Sequence, residues 1–208
     1  MAVPLRRWWP HVAVGLAVVL IGVATAAFNG RGASTESAPL AVPPPLQEVC
    51  VVAPPTPYDP SSGQPLSAPR AVPRDARCPV CGMYPARSLH WAAQVIFVDG
   101  DAQFFDSPLT LLMYLQEVGR YSPGRKADQI VAHYVTDTVG KQWIDARQAV
   151  YVQGSTAVGP MRAGNLPAFA SVDAARRFAQ QRGGVVVAFN DIDPAEVRRL
   201  GGQRRHEH

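Results

Sequence analysis

Six residues, Cys78-Pro79-Val80-Cys81-Gly82-Met83, concentrate the chemistry of this chain. Two thiols two residues apart, a glycine and then a thioether place three soft sulfur donors in one tight turn. Soft donors select soft cations, and Cu(I) stands first among them because it accepts two or three thiolate or thioether ligands without a rigid cage. Cys78 and Cys81 would supply thiolates, Met83 a weaker, neutral bond that helps release, and Gly82 the freedom to wrap the ion. Other readings remain open: a disulfide or inert packing for the cysteines, and a gap-filling core role for Met83. A thiol-disulfide oxidoreductase is the rival function. It needs the pair at a helix N-terminus, where the dipole lowers a thiol pKa, yet a Pro-rich coil precedes the motif and Pro85 follows it. Structural zinc needs four ligands, usually as two pairs, and the chain has one Cys-x-x-Cys.

Other chemistry is sparse. No convincing Ser/His/Asp set, phosphate loop or dinucleotide fingerprint occurs, so the sequence reads as a binding protein and not an enzyme. His90 and His133 read as structural residues first and metal ligands second. Asp99, Asp106, Asp137 and Asp145 lie near turns, where aspartate is favoured by local backbone bonding. Cys50 is an odd thiol, either free, disulfide-forming or a further ligand. The formal net charge of +4 is scattered: Arg6 and Arg7 lie near one end, and Arg198, Arg199, Arg204 and Arg205 near the other. No basic face interleaved with aromatics is present, which excludes a nucleic-acid partner.

The elements that must position the motif begin with His11 to Phe28, an uncharged apolar run after Arg6-Arg7. At about 1.5 Å per residue it is just long enough to cross roughly 27 Å of hydrocarbon. The arginines keep the N-terminus cytoplasmic and send the remainder outward, to the periplasmic side of an inner membrane. The run reads as an anchor; Ala24-Thr25-Ala26 is the alternative, a cleavage site. Residues 29–76 lack apolar periodicity and are dense in proline between Pro39 and Pro73, which reads as a disordered, polyproline-like tether.

The domain is expected over residues 77–192. Trp91–Val98 and Asp101–Phe105 flank Asp99-Gly100, a hairpin signature. Ser107-Pro108 caps a helix bearing Leu111, Leu112, Leu115 and Val118 that Gly119 can end, and Ile130–Val135 is a strand. The second half repeats the order. Gln142–Asp145 and Ala149–Val152 are strands, another is expected around Ala157–Met161, Ser171 caps a helix, and Val185–Phe189 is a strand. Phe105-Asp106-Ser107 and Phe169-Ala170-Ser171 match, each with Phe two residues before a helix cap. The fold class is α+β, two similar ββαβ halves, followed over 193–208 by a short helix and a basic tail.

An ordered series of motifs resembles the nitrous oxide reductase accessory proteins of the NosL family. It comprises Cys78–Met83, Trp91-Ala-Ala-Gln-Val95, Phe104-Phe105-Asp106, Tyr134-Val135-Thr136-Asp137, Trp143-Ile144-Asp145-Ala146, Gly159-Pro160-Met161, Pro167–Phe169, and Phe178-Ala179 before Gly183-Gly184. The resemblance implies an exported Cu(I)-binding protein that serves assembly of the copper centres of nitrous oxide reductase together with the maturation machinery. It also implies paired ββαβ units similar to the core of organomercurial lyase, and Met161 as a second part of the copper site. This chain departs from the family in three ways. It has no lipobox, so anchoring would fall to the helix at His11–Phe28. It has two cysteines where many members have one before Gly-Met. Met161 is followed by Arg162-Ala163-Gly164, with no nearby imidazole.

Overall fold

The computed structural model describes residues 53–160, 162 and 166–202. The expected membrane run, Cys50 and Met161 lie outside them, and no helix among the described residues is long and apolar enough to cross a membrane.

The hairpin forms where Asp-Gly predicts it. Strand β1 (Ala93–Phe97) pairs antiparallel with β2 (Ala102–Phe105). The turn is closed by the Gly100 N–H donating to the Phe97 carbonyl at 2.8 Å. Gly100 has φ +85°, open to glycine at little cost. The dipeptide Ser107-Pro108 then starts helix α1 (Pro108–Gln116) through a reciprocal cap in which Ser107 and Thr110 bond each other's backbone N–H. The helix stops at Gln116, three residues short of the glycine expected to end it. Glu117, at φ −144°, breaks the turn before a short helix α2 (Val118–Tyr121).

Strand β3 (Ile130–Thr136) returns on the other side of β1, and β4 (Trp143–Asp145) adds to β3, giving the order β2-β1-β3-β4. The Gln142–Asp145 strand thus belongs to the first sheet and not, as expected, to the second half. The second sheet is β5 (Val150–Gln153), β6 (Ala168–Phe169) and β7 (Val185–Ala188), in the order β6-β5-β7, with helix α3 (Val172–Arg182) between β6 and β7. Residues 157–160 form no strand; Ala168–Phe169 takes the position expected for them.

With that correction the halves superimpose in order. The β2-β1-β3 and β6-β5-β7 arrangements match, Ala93 pairs with Phe105 as Val150 pairs with Phe169, and Ser107 and Ser171 cap the helices that follow. Asp137 links the halves. Its carboxylate accepts the Ala170 N–H at 3.0 Å, while the Thr138 N–H donates to the Ala168 carbonyl at 2.8 Å.

Every residue of β1 and β2 is buried, so both faces of this hairpin are covered. One face meets α1 and the core. The other meets residues 53–76, which do not extend away as a tether but lie along the sheet. Thr56, the non-proline between Pro55 and Pro57, exchanges two 2.8 Å backbone hydrogen bonds with Ala102 and closes the edge of β2. The Gln94 side chain acts as a surrogate peptide, accepting from the Arg70 N–H at 2.8 Å and donating to its carbonyl at 2.9 Å. Tyr134 donates its hydroxyl to the Ser67 carbonyl at 2.9 Å. Val72 and Ala76 pack on Ile96, Ala102 and Phe104. Prolines lower the entropy lost on ordering such a strap, so few contacts suffice to hold it.

Helix α4 (Pro194–Gly202), outside the domain limit expected from the sequence, belongs to the same core, with Val197 and Leu200 buried. The strap also explains Gly100, since a Cβ there would fall 2.8 Å from Leu66 Cδ1 and 2.9 Å from the side chain of Tyr58. Gly100→Ala should therefore cost about 2–3 kcal/mol in urea unfolding, combining left-handed strain with a clash. Gly124→Ala, at φ +87° with nothing within 4 Å of the added carbon, should cost only about 1 kcal/mol. Equal losses would show that the strap does not press on the turn.

Candidate metal centre

The turn at 78–83 is tied at its neck. The Cys78 N–H donates to the Met83 carbonyl at 2.8 Å, and the Gly82 N–H donates to the Cys78 carbonyl at 2.8 Å. Gly82 sits at φ +72° with open space around it, so glycine serves the backbone here and not packing. Behind the loop comes a 3₁₀ segment, Pro85–Trp91, kinked at Ser88. No α-helix begins at the cysteines. The dipole that would favour the oxidoreductase reading is thus missing from the site.

Cys78 is fully buried within the main core, alongside Val95, Phe105 and Leu109. Cys81 is only partly buried and packs at the edge of that core. Both are free thiols. A third group joins them: the ligand atoms of Cys78, Cys81 and Asp106 all lie within 4.8 Å of one another. Asp106 ends the β2 side of the hairpin and is 1% exposed. One of its oxygens, Oδ1, accepts from Thr110 Oγ1 at 2.6 Å and from Ser107 Oγ at 3.4 Å. The other, Oδ2, is buried with no hydrogen-bond partner among the described residues. A buried oxygen left unpaired costs free energy that a cation would recover.

The thiols share protons unequally. Burial and the charge of Asp106 oppose ionisation of Cys78, but a hydrogen bond from Cys81 and the backbone N–H donors of Asp106 and Val80 outweigh them, and its pKa falls below the ordinary thiol value. Cys81 moves the other way. The hydrogen bond it gives Cys78, its burial and the negative charges of Cys78 and Asp106 hold it firmly protonated, against a weaker pull from the Met83 N–H. The site is two thiols of unequal acidity and a carboxyl group set against the low-dielectric core. Such a cluster attracts a positive ion able to displace thiol protons.

The structure thus brings Cys78 and Cys81 together and adds Asp106, which sequence reasoning had assigned only to a turn. A signal was present in the repeat: the equivalent of Asp106 in the second half is Ala170, so the carboxyl group is not needed to form the strand-to-helix junction. Met83 is half-buried and closes the loop through its carbonyl. Neither His90 nor His133 belongs to the cluster. His133 instead lines a separate cleft of about 320 Å³ between α1, β3 and α4, where Arg147 Nε donates to its Nδ1 at 3.5 Å.

The chain is thus an α+β protein of two ββαβ halves with a two-thiol, one-carboxyl cluster in the first. The chain belongs to the NosL family, whose model matches residues 69–197. It is also similar to the crystal structure of the copper chaperone NosL from Shewanella denitrificans, with a TM-score of 0.53 and 22% identity over 63% of this chain and 99% of that one. No curated protein matches it.

His133 also makes the fold acid-sensitive. Burial first, then the charge of Arg147, against a smaller opposing effect of Asp145, lowers its pKa from 6.5 to about 4. Between these values the unfolded chain binds a proton that the folded chain does not, so stability is complete above pH 6.5 and falls toward pH 4. Chemical unfolding across this window should show a loss on the order of 2 kcal/mol that His133→Gln flattens. An unchanged pH slope in that variant would rule out His133 as the source.

Proposed function

We propose that this chain binds Cu(I) as cargo between Cys78 and Cys81 and passes it to a copper enzyme, acting as a metallochaperone and not as a catalyst. The observation that carries this reading is the convergence of two free thiols and the Asp106 carboxyl group, whose ligand atoms lie within 4.8 Å of one another; one oxygen of that buried carboxyl group has no partner among the described residues. Thiolates favour Cu(I) among envelope metals, and two or three ligands suffice for it. The buried Cys78 supplies a fixed anchor and the partly buried Cys81, at the edge of the core, a donor nearer to an incoming ligand. Asp106 adds negative charge beside the ion and orients the Cys78 sulfur through its backbone N–H. Met83 and Met161 are the thioethers available to complete the ligand set. The related copper chaperone from Shewanella denitrificans supports the same assignment by analogy of fold.

The finer reading joins the motif resemblance to the apolar run that follows Arg6-Arg7. The client is nitrous oxide reductase, served with its maturation machinery, and the domain works on the periplasmic side of the inner membrane, anchored through His11–Phe28 or released there if that run is cleaved.

Competition of the reduced protein with a Cu(I) chelator tests the site. One ion should bind per chain. Cys81→Ser should weaken binding by on the order of a thousandfold, and Asp106→Asn by about ten- to a hundredfold, the usual scale for a group supporting a first ligand. Affinity in the Cys78→Ser/Cys81→Ser double variant equal to that of the parent would refute the assignment. Because the Cys81 proton must leave, Cu(I) binding should release protons at neutral pH and weaken about tenfold per proton for each unit of acidification. Titration in buffers of different ionisation enthalpy would show no proton release if Cys81 were not a ligand.

A further inference from the structure

The neck of the loop holds a second feature that copper binding does not use. Because the Cys78 N–H bonds the Met83 carbonyl, the residues just outside that bond, Arg77 and Tyr84, are brought side by side. The Arg77 guanidinium carbon lies 4.4 Å from the centre of the Tyr84 ring, and Arg77 donates to the Tyr84 hydroxyl. Arg87 comes back over the same ring, its guanidinium carbon 4.7 Å from the centre, because its N–H donates to the Tyr84 carbonyl at 3.0 Å and so curls the chain. Both arginines are exposed. Among the described residues neither has a carboxylate partner, although the exposed Asp75 lies two residues from Arg77.

Stacking on Tyr84 accounts for where the two cations sit but leaves most of their N–H donors facing water. Planar guanidinium groups already held in place lose little freedom when they grip a carboxylate in two-pronged fashion. Leu89, in the same 3₁₀ segment, adds an apolar side chain that is 55% exposed. Arginine and tyrosine are the residue types in which recognition surfaces are enriched.

We propose that Arg77, Arg87 and Tyr84 form the docking patch for an acidic face of the protein that accepts the metal, holding its carboxylates so that its ligands meet Cys81 at the edge of the core. The inference rests on the reading of the 78–83 loop as the Cu(I) site. Opposite charges would raise the rate of encounter and fix its orientation, while the core-anchored Cys78 keeps the ion until the acceptor arrives.

The test uses the full chain, reduced and loaded with one Cu(I), and two synthetic acceptor peptides with the same cysteine-containing core, one flanked by glutamates and one by lysines. The Glu-flanked peptide should extract copper on the order of tenfold faster at about 20 mM salt, and the ratio should fall toward one at about 300 mM. In the Arg77→Gln/Arg87→Gln variant the two peptides should react at equal rates even at low salt, with Cu(I) affinity in chelator competition unchanged. Should that variant keep the wild-type ratio, or should the wild type show no preference, the docking patch is overturned while the copper site stands. If the wild-type chain takes up no Cu(I), both readings fall together.

Discussion

The hydrogen bond that joins the Cys78 N–H to the Met83 carbonyl organises this end of the molecule. It turns six residues into a closed loop whose first thiol is inside the hydrophobic core and whose second is at the core's edge. The asymmetry of the two sulfurs, one ionising more readily and one held protonated, is a consequence of that placement. A pair of cysteines on an open surface would share no such difference, because water would screen the charges and solvate both thiols equally.

The first ββαβ half supplies the remaining parts. Its β2–α1 junction carries Asp106, and the cap made by Ser107 and Thr110 also holds one carboxylate oxygen, leaving the other aimed at no protein donor. The second half has the same junction with Ala170 in place of the aspartate, and there Ser171 caps α3 with no such cluster among the described residues. The two halves therefore share a framework and differ in chemistry. The proline-rich strap supports the first half from outside, covering a sheet face that would otherwise expose Ile96 and Phe104 and leave the β2 edge unpaired.

Much of the fold could be read along the chain because its signals are local. Asp99-Gly100 encodes a hairpin, Ser107-Pro108 and Ser171 encode helix starts, and the Phe-x-Ser repeat marks corresponding positions in both halves. The misplaced elements depend on distant partners. Gln142–Asp145 is a strand in either assignment, and only β3 decides which sheet it joins. The strap has no periodicity because it forms few ladder bonds of its own; its order comes from Ala102, Gln94 and Tyr134. Ala168–Phe169 is too short to announce itself as a strand.

The sequence by itself determined the type of chemistry, since two thiols and a thioether around a glycine name a soft cation wherever they are placed, and it determined the repeated architecture through caps and turns. Only the tertiary structure decided which thiol is buried, that Asp106 faces the pair, and that Arg77 and Arg87 meet over Tyr84. Donor identity belongs to single residues. Proton sharing, unpaired oxygens and clustered cations belong to groups that become neighbours when β2, the loop and the core close together, and no spacing along the chain encodes those distances.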